Sequence, residues 1–282
     1  MKKEIEQNSL QINLSNITIN AEEYRKARGA SGYVFLLHGF SGSSKDWNNI
    51  APLLDNRFGI AAIDLIGHGK SDSPAETFLY SAGEMVQQLY ETFKFFTRDR
   101  FILLGYSMGG RAALSFAVEY PEMIKGLILE SSSAGIKENH LREERVRSDE
   151  DLAKFIGRAS IEEFVNYWMN IDLFKTQKKL PREKLSEIRE EKLNCSKIGL
   201  ANSLRGFGTG TMPPLYDKLN LIEAKTLLIT GETDSKYSAI NKGVKNLFPS
   251  AYHKVIKEAG HNVHLEQPEL FADAVNTFLN EL

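Results

Sequence analysis

The sequence predicts an α/β protein: a mostly parallel central sheet flanked by helices, with a helical cap inserted into it. Three observations predict this. Short apolar runs bounded by Gly, Ser or Asp alternate with longer amphipathic stretches, the pattern of βαβ units. One segment, residues 135–213, leaves that alternation and has helical periodicity throughout. A Gly-x-Ser-x-Gly pentad joins one apolar run to the amphipathic stretch that follows it.

In chain order, residues 12–14 and 17–19 flank Ser15-Asn16 and read as an N-terminal hairpin. Residues 34–37, 60–64, 101–105, 126–130 and 227–230 are compact apolar runs, suited to strands buried on both faces of a parallel sheet. Residues 82–97, 107–119, 238–247 and 268–282 are the amphipathic stretches between and after them. Active-site groups are then expected at the carboxyl ends of the strands. Within the insertion, residues 149–158, 161–170, 181–193 and 198–204 read as helices, since Glu, Lys and Arg favour helix and Pro181 suits a first turn. The expected division is a core of residues 1–134 and 214–282, with a cap of residues 135–213 inserted after the strand that ends at Glu130.

At 282 residues the chain buries about three quarters of its unfolded surface, so it needs no disulfide or structural metal. Hydrophobic residues make up 42% and charged residues 26%, which argues against general disorder. With 35 basic and 37 acidic side chains the net charge is −2, which argues against a nucleic-acid or membrane-surface partner. Cys195 is the one cysteine. It allows no internal disulfide and no zinc cluster, so no metal is expected and the thiol reads as reduced. Residues 1–7 are basic without an apolar core, so no signal peptide is expected. The apolar runs fall far short of the roughly 20 residues of a membrane span, and the expected compartment is the cytoplasm.

Residues 105–109 read Gly-Tyr-Ser-Met-Gly, between an apolar strand and a helical pattern. Ser107 must sit on a sharp strained turn, and glycines at 105 and 109 remove Cβ atoms that would clash across it. The Met108 N–H, at a helix start, then points at developing negative charge. A serine needs a base, and the base an orienter. Asp234 and His261 both lie just past apolar runs and follow the serine in the order Ser, Asp, His. His264 is the rival base, and Glu232 and Glu130 are rival acids. His38 and His68 sit in glycine-flanked turns ahead of the serine and read as structural. The second oxyanion donor is expected from His38-Gly39-Phe40-Ser41-Gly42, with the Phe40 N–H as the choice.

Together, Leu37-His38-Gly39-Phe40, residues 64–71 and the serine elbow resemble the α/β-hydrolase superfamily, and so imply an α/β-hydrolase fold. A narrower resemblance rests on Arg111 four residues after the serine, the stretch 142–149, Trp168 before Leu173-Phe174, Arg189, residues 231–237 and residues 259–266. This combination resembles the 2-succinyl-6-hydroxy-2,4-cyclohexadiene-1-carboxylate synthase family of menaquinone biosynthesis. Ala134 departs from it, where that family is expected to have proline. The resemblance implies a lyase without cofactor that acts on a small polycarboxylate and releases pyruvate. It implies that Arg111, Arg145 and Arg189 form a basic substrate pocket and that Tyr106 and Trp168 are further contacts. Arginine forks suit carboxylates. Taken without the resemblance, Arg145 pairs with Asp149 along a helix and Arg189 belongs to a solvated face. The alternative function is a serine hydrolase of the same fold, an esterase, thioesterase or carbon–carbon bond hydrolase. No oligomeric partner is legible.

Overall fold

The computed structural model describes residues 8–27 and 32–282; residues 1–7, and with them the signal-peptide reading, lie outside that range. The strands are β1 (Asn8–Asn13), β2 (Thr18–Arg25), β3 (Tyr33–Leu37), β4 (Gly59–Ile63), β5 (Phe101–Tyr106), β6 (Ile124–Glu130), β7 (Lys225–Gly231) and β8 (Ala251–Ile256). They form an eight-stranded sheet in the order β1-β2-β4-β3-β5-β6-β7-β8. Strands β3 to β8 run parallel, and β2 lies antiparallel to both β1 and β4. This is the α/β-hydrolase fold expected from the sequence.

The hairpin forms, but β2 runs on well past the apolar run that marked it, to Arg25. Its two glutamates hid the continuation. Glu22 is buried because it accepts from Ser9 Oγ and Lys70 Nζ, and Glu23 because it accepts from Tyr33 Oη. A strand continued by satisfied carboxylates leaves no apolar signature.

In the middle of the sheet every residue of β3, β4 and β5 is buried. Alternate side chains serve the two faces. Phe35, Leu37 and Leu103 point to the face covered by α1 (Ala82–Phe96) and α2 (Met108–Glu119), where Phe93 stacks on Phe35 at 4.5 Å. Val34, Leu36 and Leu104 point to the other, against Trp47, Phe271 and Val275. Each such buried aromatic or aliphatic side chain stabilises the fold by about 1.5–3 kcal/mol.

Between β6 and β7 lie α3 (Asn139–Arg158), α4 (Ile161–Trp168), α5 (Arg182–Leu193) and α6 (Lys197–Phe207). Ser160 and Glu163 close a capping box on α4, with Glu163 N–H donating to Ser160 Oγ and Ser160 N–H to Glu163 Oε2 at 2.7 Å. Ile156, Phe164, Val165, Leu200 and Leu204 form a small core of their own, against which Phe40 of the sheet's loop packs. Helix α3 starts at Asn139, ten residues ahead of the expected 149. Its first turns are held by polar contacts, Arg142 Nε to the Gly210 carbonyl and Arg145 to Asp149, so apolar periodicity is silent there. After β7 come α7 (Ser235–Val244), α8 (Val263–Glu266) and α9 (Pro268–Leu279). Helix α7 begins three residues before expected because the Asp234 carboxylate caps it, accepting from Tyr237 N–H. No described helix is long and apolar enough to cross a membrane.

Candidate active site

Strand β5 ends at Tyr106 and α2 begins at Met108, so Ser107 alone makes the turn, at φ 51° and ψ −105°. A non-glycine residue there is strained by about 1–3 kcal/mol. Its backbone is held from three sides. Ser107 N–H donates to the Glu130 carbonyl at 2.8 Å, and its own carbonyl accepts from Ser132 Oγ and Arg111 N–H. A Cβ on Gly105 would strike the Gly109 carbonyl, and one on Gly109 the carbonyls of Leu37 and His38. Gly109→Ala is therefore expected to push α2 off β3 and cost about 1–3 kcal/mol of stability in urea unfolding. An unchanged midpoint would show that the elbow is not this tightly packed.

Asp234 follows β7 and His261 follows β8, in loops stitched together where Thr233 N–H and Oγ1 both donate to the Ala259 carbonyl, at 3.0 and 2.9 Å. His261 Nδ1 lies 2.8 Å from Asp234 Oδ2, and His261 Nε2 lies 3.0 Å from Ser107 Oγ. With the carboxylate ionised, Nδ1 carries the proton and donates to it, leaving Nε2 to accept from the serine hydroxyl. Asp234 and His261 are buried. Asp234 spends one oxygen on the imidazole and the other on capping α7. The rivals are engaged elsewhere. His264 is bonded to Glu130, and Glu232 accepts from Glu258 N–H. His38 Nε2 accepts from Leu65 N–H, and burial pushes His68 down to about 3, leaving it neutral.

The Phe40 N–H, in the loop after β3, and the Met108 N–H, in the first turn of α2, donate to no group among the described residues. Met108 has no intrahelical acceptor by position. The Phe40 ring packs edge-on against Trp168 at 5.1 Å, and Trp168 against Phe174 at 5.7 Å. Trp168 Nε1 is buried without an acceptor among the described residues, an exception to the rule that buried polar groups are paired. Tyr106 is buried beside His261, with ring centroids 5.5 Å apart.

The arginines do not behave alike. Arg111 Nη1 donates to the Phe207 carbonyl at 2.8 Å and lies 3.7 Å from Met212 Sδ, with the guanidinium over the Phe207 ring at 5.2 Å. Among the described residues its Nε and Nη2 donate to nothing and it forms no salt bridge. Desolvation lowers its pKa to about 10; the charge of Arg145 adds to the effect, while Tyr237 and Asp149 oppose it. Arg145 is close enough to act on Arg111 but is paired with Asp149 at 2.8 Å, as the helix spacing allows. Arg189 does not join them: on α5, which contributes no fully buried residue, it donates to Asn166 Oδ1 of α4 on the exposed side. The expected trio is thus a pair in this structure.

A cavity of about 350 Å³ opens between α5 and the sheet, lined among others by Phe40, Tyr106, Phe174, Gln177, Asn262 and His264. The segment between β6 and β7 is tied to the loops around it by Thr176 Oγ1 donating to Glu266 and Lys192 Nζ donating to Ser41. No cluster of His, Cys, Asp or Glu suited to hold a metal occurs among the described residues. Burial pushes the Cys195 thiol up to about 11, which keeps it protonated and unreactive.

Sequence reasoning did not single out Tyr237, whose ring lies 4.6 Å from that of His261, nor Phe207 and Met212, which hold Arg111. Tyr237 carried a usable signal, since Asp234 as helix cap places the third residue of α7 beside the imidazole. Phe207 and Met212 carried none, lying about a hundred residues from Arg111.

The alpha/beta hydrolase fold family model matches residues 32–268. A Bacillus subtilis (strain 168) protein, provisionally named a 2-succinyl-6-hydroxy-2,4-cyclohexadiene-1-carboxylate synthase, is 44% identical over 254 residues, 90% of this chain and 92% of its own. The synthase of that name from Enterobacter sp. (strain 638) is 30% identical over 246 residues, covering 86% and 91%. The structure of MenH from S. aureus superposes with a TM-score of 0.88 at 35% identity, covering 93% of this chain and 98% of that one. On the match to the fold and on these full-length relatives, the chain belongs to the α/β-hydrolase superfamily and, within it, to the 2-succinyl-6-hydroxy-2,4-cyclohexadiene-1-carboxylate synthase family.

Proposed function

We propose that this chain is a lyase of menaquinone biosynthesis. It eliminates pyruvate from 2-succinyl-5-enolpyruvyl-6-hydroxy-3-cyclohexene-1-carboxylate and leaves 2-succinyl-6-hydroxy-2,4-cyclohexadiene-1-carboxylate. His261, oriented by Asp234, draws the proton from Ser107 Oγ, and that oxygen removes the proton alpha to the succinyl carbonyl. The electron pair moves onto the carbonyl oxygen, where the N–H groups of Phe40 and Met108 hold the enolate. Collapse of the enolate forms the ring diene and breaks the carbon–oxygen bond to the enolpyruvyl group, which leaves and takes up a proton to become pyruvate. No acyl-enzyme forms and no step calls for a metal or organic cofactor.

The single observation that carries this reading is Arg111. A desolvated guanidinium lies one helical turn past the serine, with Nε–H and Nη2–H groups that meet no acceptor among the described residues and with Asp149 acting on it only through space. It is an expensive group to keep unpaired in a site for neutral acyl chains, and a fitting one for a carboxylate. Arg145, although paired with Asp149, and the Trp168 N–H, which has no acceptor among the described residues, extend the set of groups that would take a polar, anionic substrate, together with Tyr106. Residues 135–213 would act as a cap that excludes water, and the reaction is placed in the cytoplasm. The test is to supply the enolpyruvyl substrate and follow pyruvate, with a p-nitrophenyl ester as control. Stoichiometric pyruvate and slow ester turnover are expected. Fast ester turnover with an acyl-enzyme burst and no pyruvate would make the chain a hydrolase instead.

A further inference from the structure

We infer that Glu130 is a positioning residue that sets the nucleophile and the base in register through its two ends. It closes β6 directly opposite Tyr106 of β5. Its backbone carbonyl accepts the Ser107 N–H at 2.8 Å. Its carboxylate is wholly buried and accepts twice from one residue, from His264 N–H at Oε1, 3.0 Å, and from His264 Nδ1–H at Oε2, 2.7 Å. His264 stands three residues past His261 in the first turn of α8, so the clamp grips the segment that carries the base. The clamped ring cannot slide. Trp47 stacks on one side at 4.3 Å and Tyr106 meets it edge-on at 5.0 Å. The same Tyr106 ring flanks His261.

A buried carboxylate is costly to keep unless its bonds are well made, and here both oxygens are used on a single residue beside the serine elbow. A carboxylate placed only to stabilise the fold has no reason to join these two loops. Misplacing a reacting group by about 1 Å costs on the order of 100-fold in rate, so a strut between the loops acts on turnover and little on binding. The inference rests on Ser107 and His261 as nucleophile and base, but not on which substrate they serve.

The test compares Glu130→Ala, Glu130→Gln, His264→Leu and His264→Asn for kcat and KM of pyruvate release, for the rate at which a fluorophosphonate labels Ser107, and for melting temperature. Asn at 264 keeps the backbone N–H and puts an amide N–H where Nδ1–H stood. Glu130→Ala and His264→Leu are expected to lose about 10- to 100-fold in both kcat and labelling with KM little changed. His264→Asn should recover most of the loss. If Glu130→Ala fails to fold, the isosteric Glu130→Gln carries the test and should lose part of both rates. Folded Glu130 variants with parental kcat and labelling overturn the inference, as does a His264→Asn variant no better than His264→Leu, which would assign the effect to the ring itself. A parent that labels at Ser107 yet releases no pyruvate removes the lyase reading alone, and the labelling rates then decide on Glu130.

Discussion

Ser107→Ala and His261→Ala should each lower pyruvate release by about 10⁴-fold, and the double variant by little more than either alone. The non-additivity follows from the geometry. In the proposed mechanism the serine oxygen acts as a base only because His261 Nε2, 3.0 Å away, takes its proton, so removing either group removes the same event. Asp234→Asn is the sharper experiment. Asparagine caps a helix as well as aspartate, so α7 keeps the cap that Asp234 now supplies to Tyr237 N–H. What is lost is the carboxylate 2.8 Å from His261 Nδ1, and with it the tautomer that leaves Nε2 free to accept. A fall of about 10³- to 10⁴-fold with unchanged melting is expected. Near-parental turnover in Ser107→Ala would remove the serine oxygen as the base.

Arg111→Ala should reduce kcat/KM for the polycarboxylate by roughly 100- to 10,000-fold. Two charge-assisted bonds at about 1.5–3 kcal/mol each set that scale, at about 1.4 kcal/mol per tenfold. Arg111→Lys should recover little, because a point charge cannot supply the fork. Turnover of a neutral ester should barely change; an equal loss on both substrates would sink the carboxylate role. Stability supplies a control with a definite sign. Burial holds the Arg111 pKa at about 10, below its unfolded value. The charged group therefore weakens the fold at every pH below that value, and the deficit is relieved only as pH rises through about 10. Arg111→Met should accordingly unfold within about 1 kcal/mol of the parent at neutral pH, which separates lost recognition from lost structure.

Much of this was legible in the chain because the signals are local. Leu-Leu-Gly-Tyr-Ser-Met-Gly-Gly places a strand, a glycine-relieved turn and a helix within a few residues, and steric necessity permits few other readings. The order of Ser107, Asp234 and His261 follows from strand exits, which apolar runs mark well for β5 and β7 but poorly for the half-exposed β8. Reading failed where polar contacts replace apolar ones. The first turns of α3 are fastened by Arg142 and Arg145, and β2 is prolonged by Glu22 and Glu23, so neither shows the expected periodicity.

The arginines mark the boundary most clearly. Sequence alone determined the central strands and the elbow, since these depend on steric and hydrophobic terms that act between neighbours in the chain. Only the tertiary structure decided which charges matter. Arg145 is answered by Asp149 and Arg189 by Asn166, while among the described residues Arg111 bonds and stacks only with a carbonyl, a sulfur and a ring from residues 207 and 212 and feels Asp149 through space. It likewise decided that His264 belongs to Glu130 and His261 to Asp234. The physical reason is the same in each case: the state of a charge depends on its desolvation and on partners within a few ångströms, and folding brings those partners from distant parts of the chain.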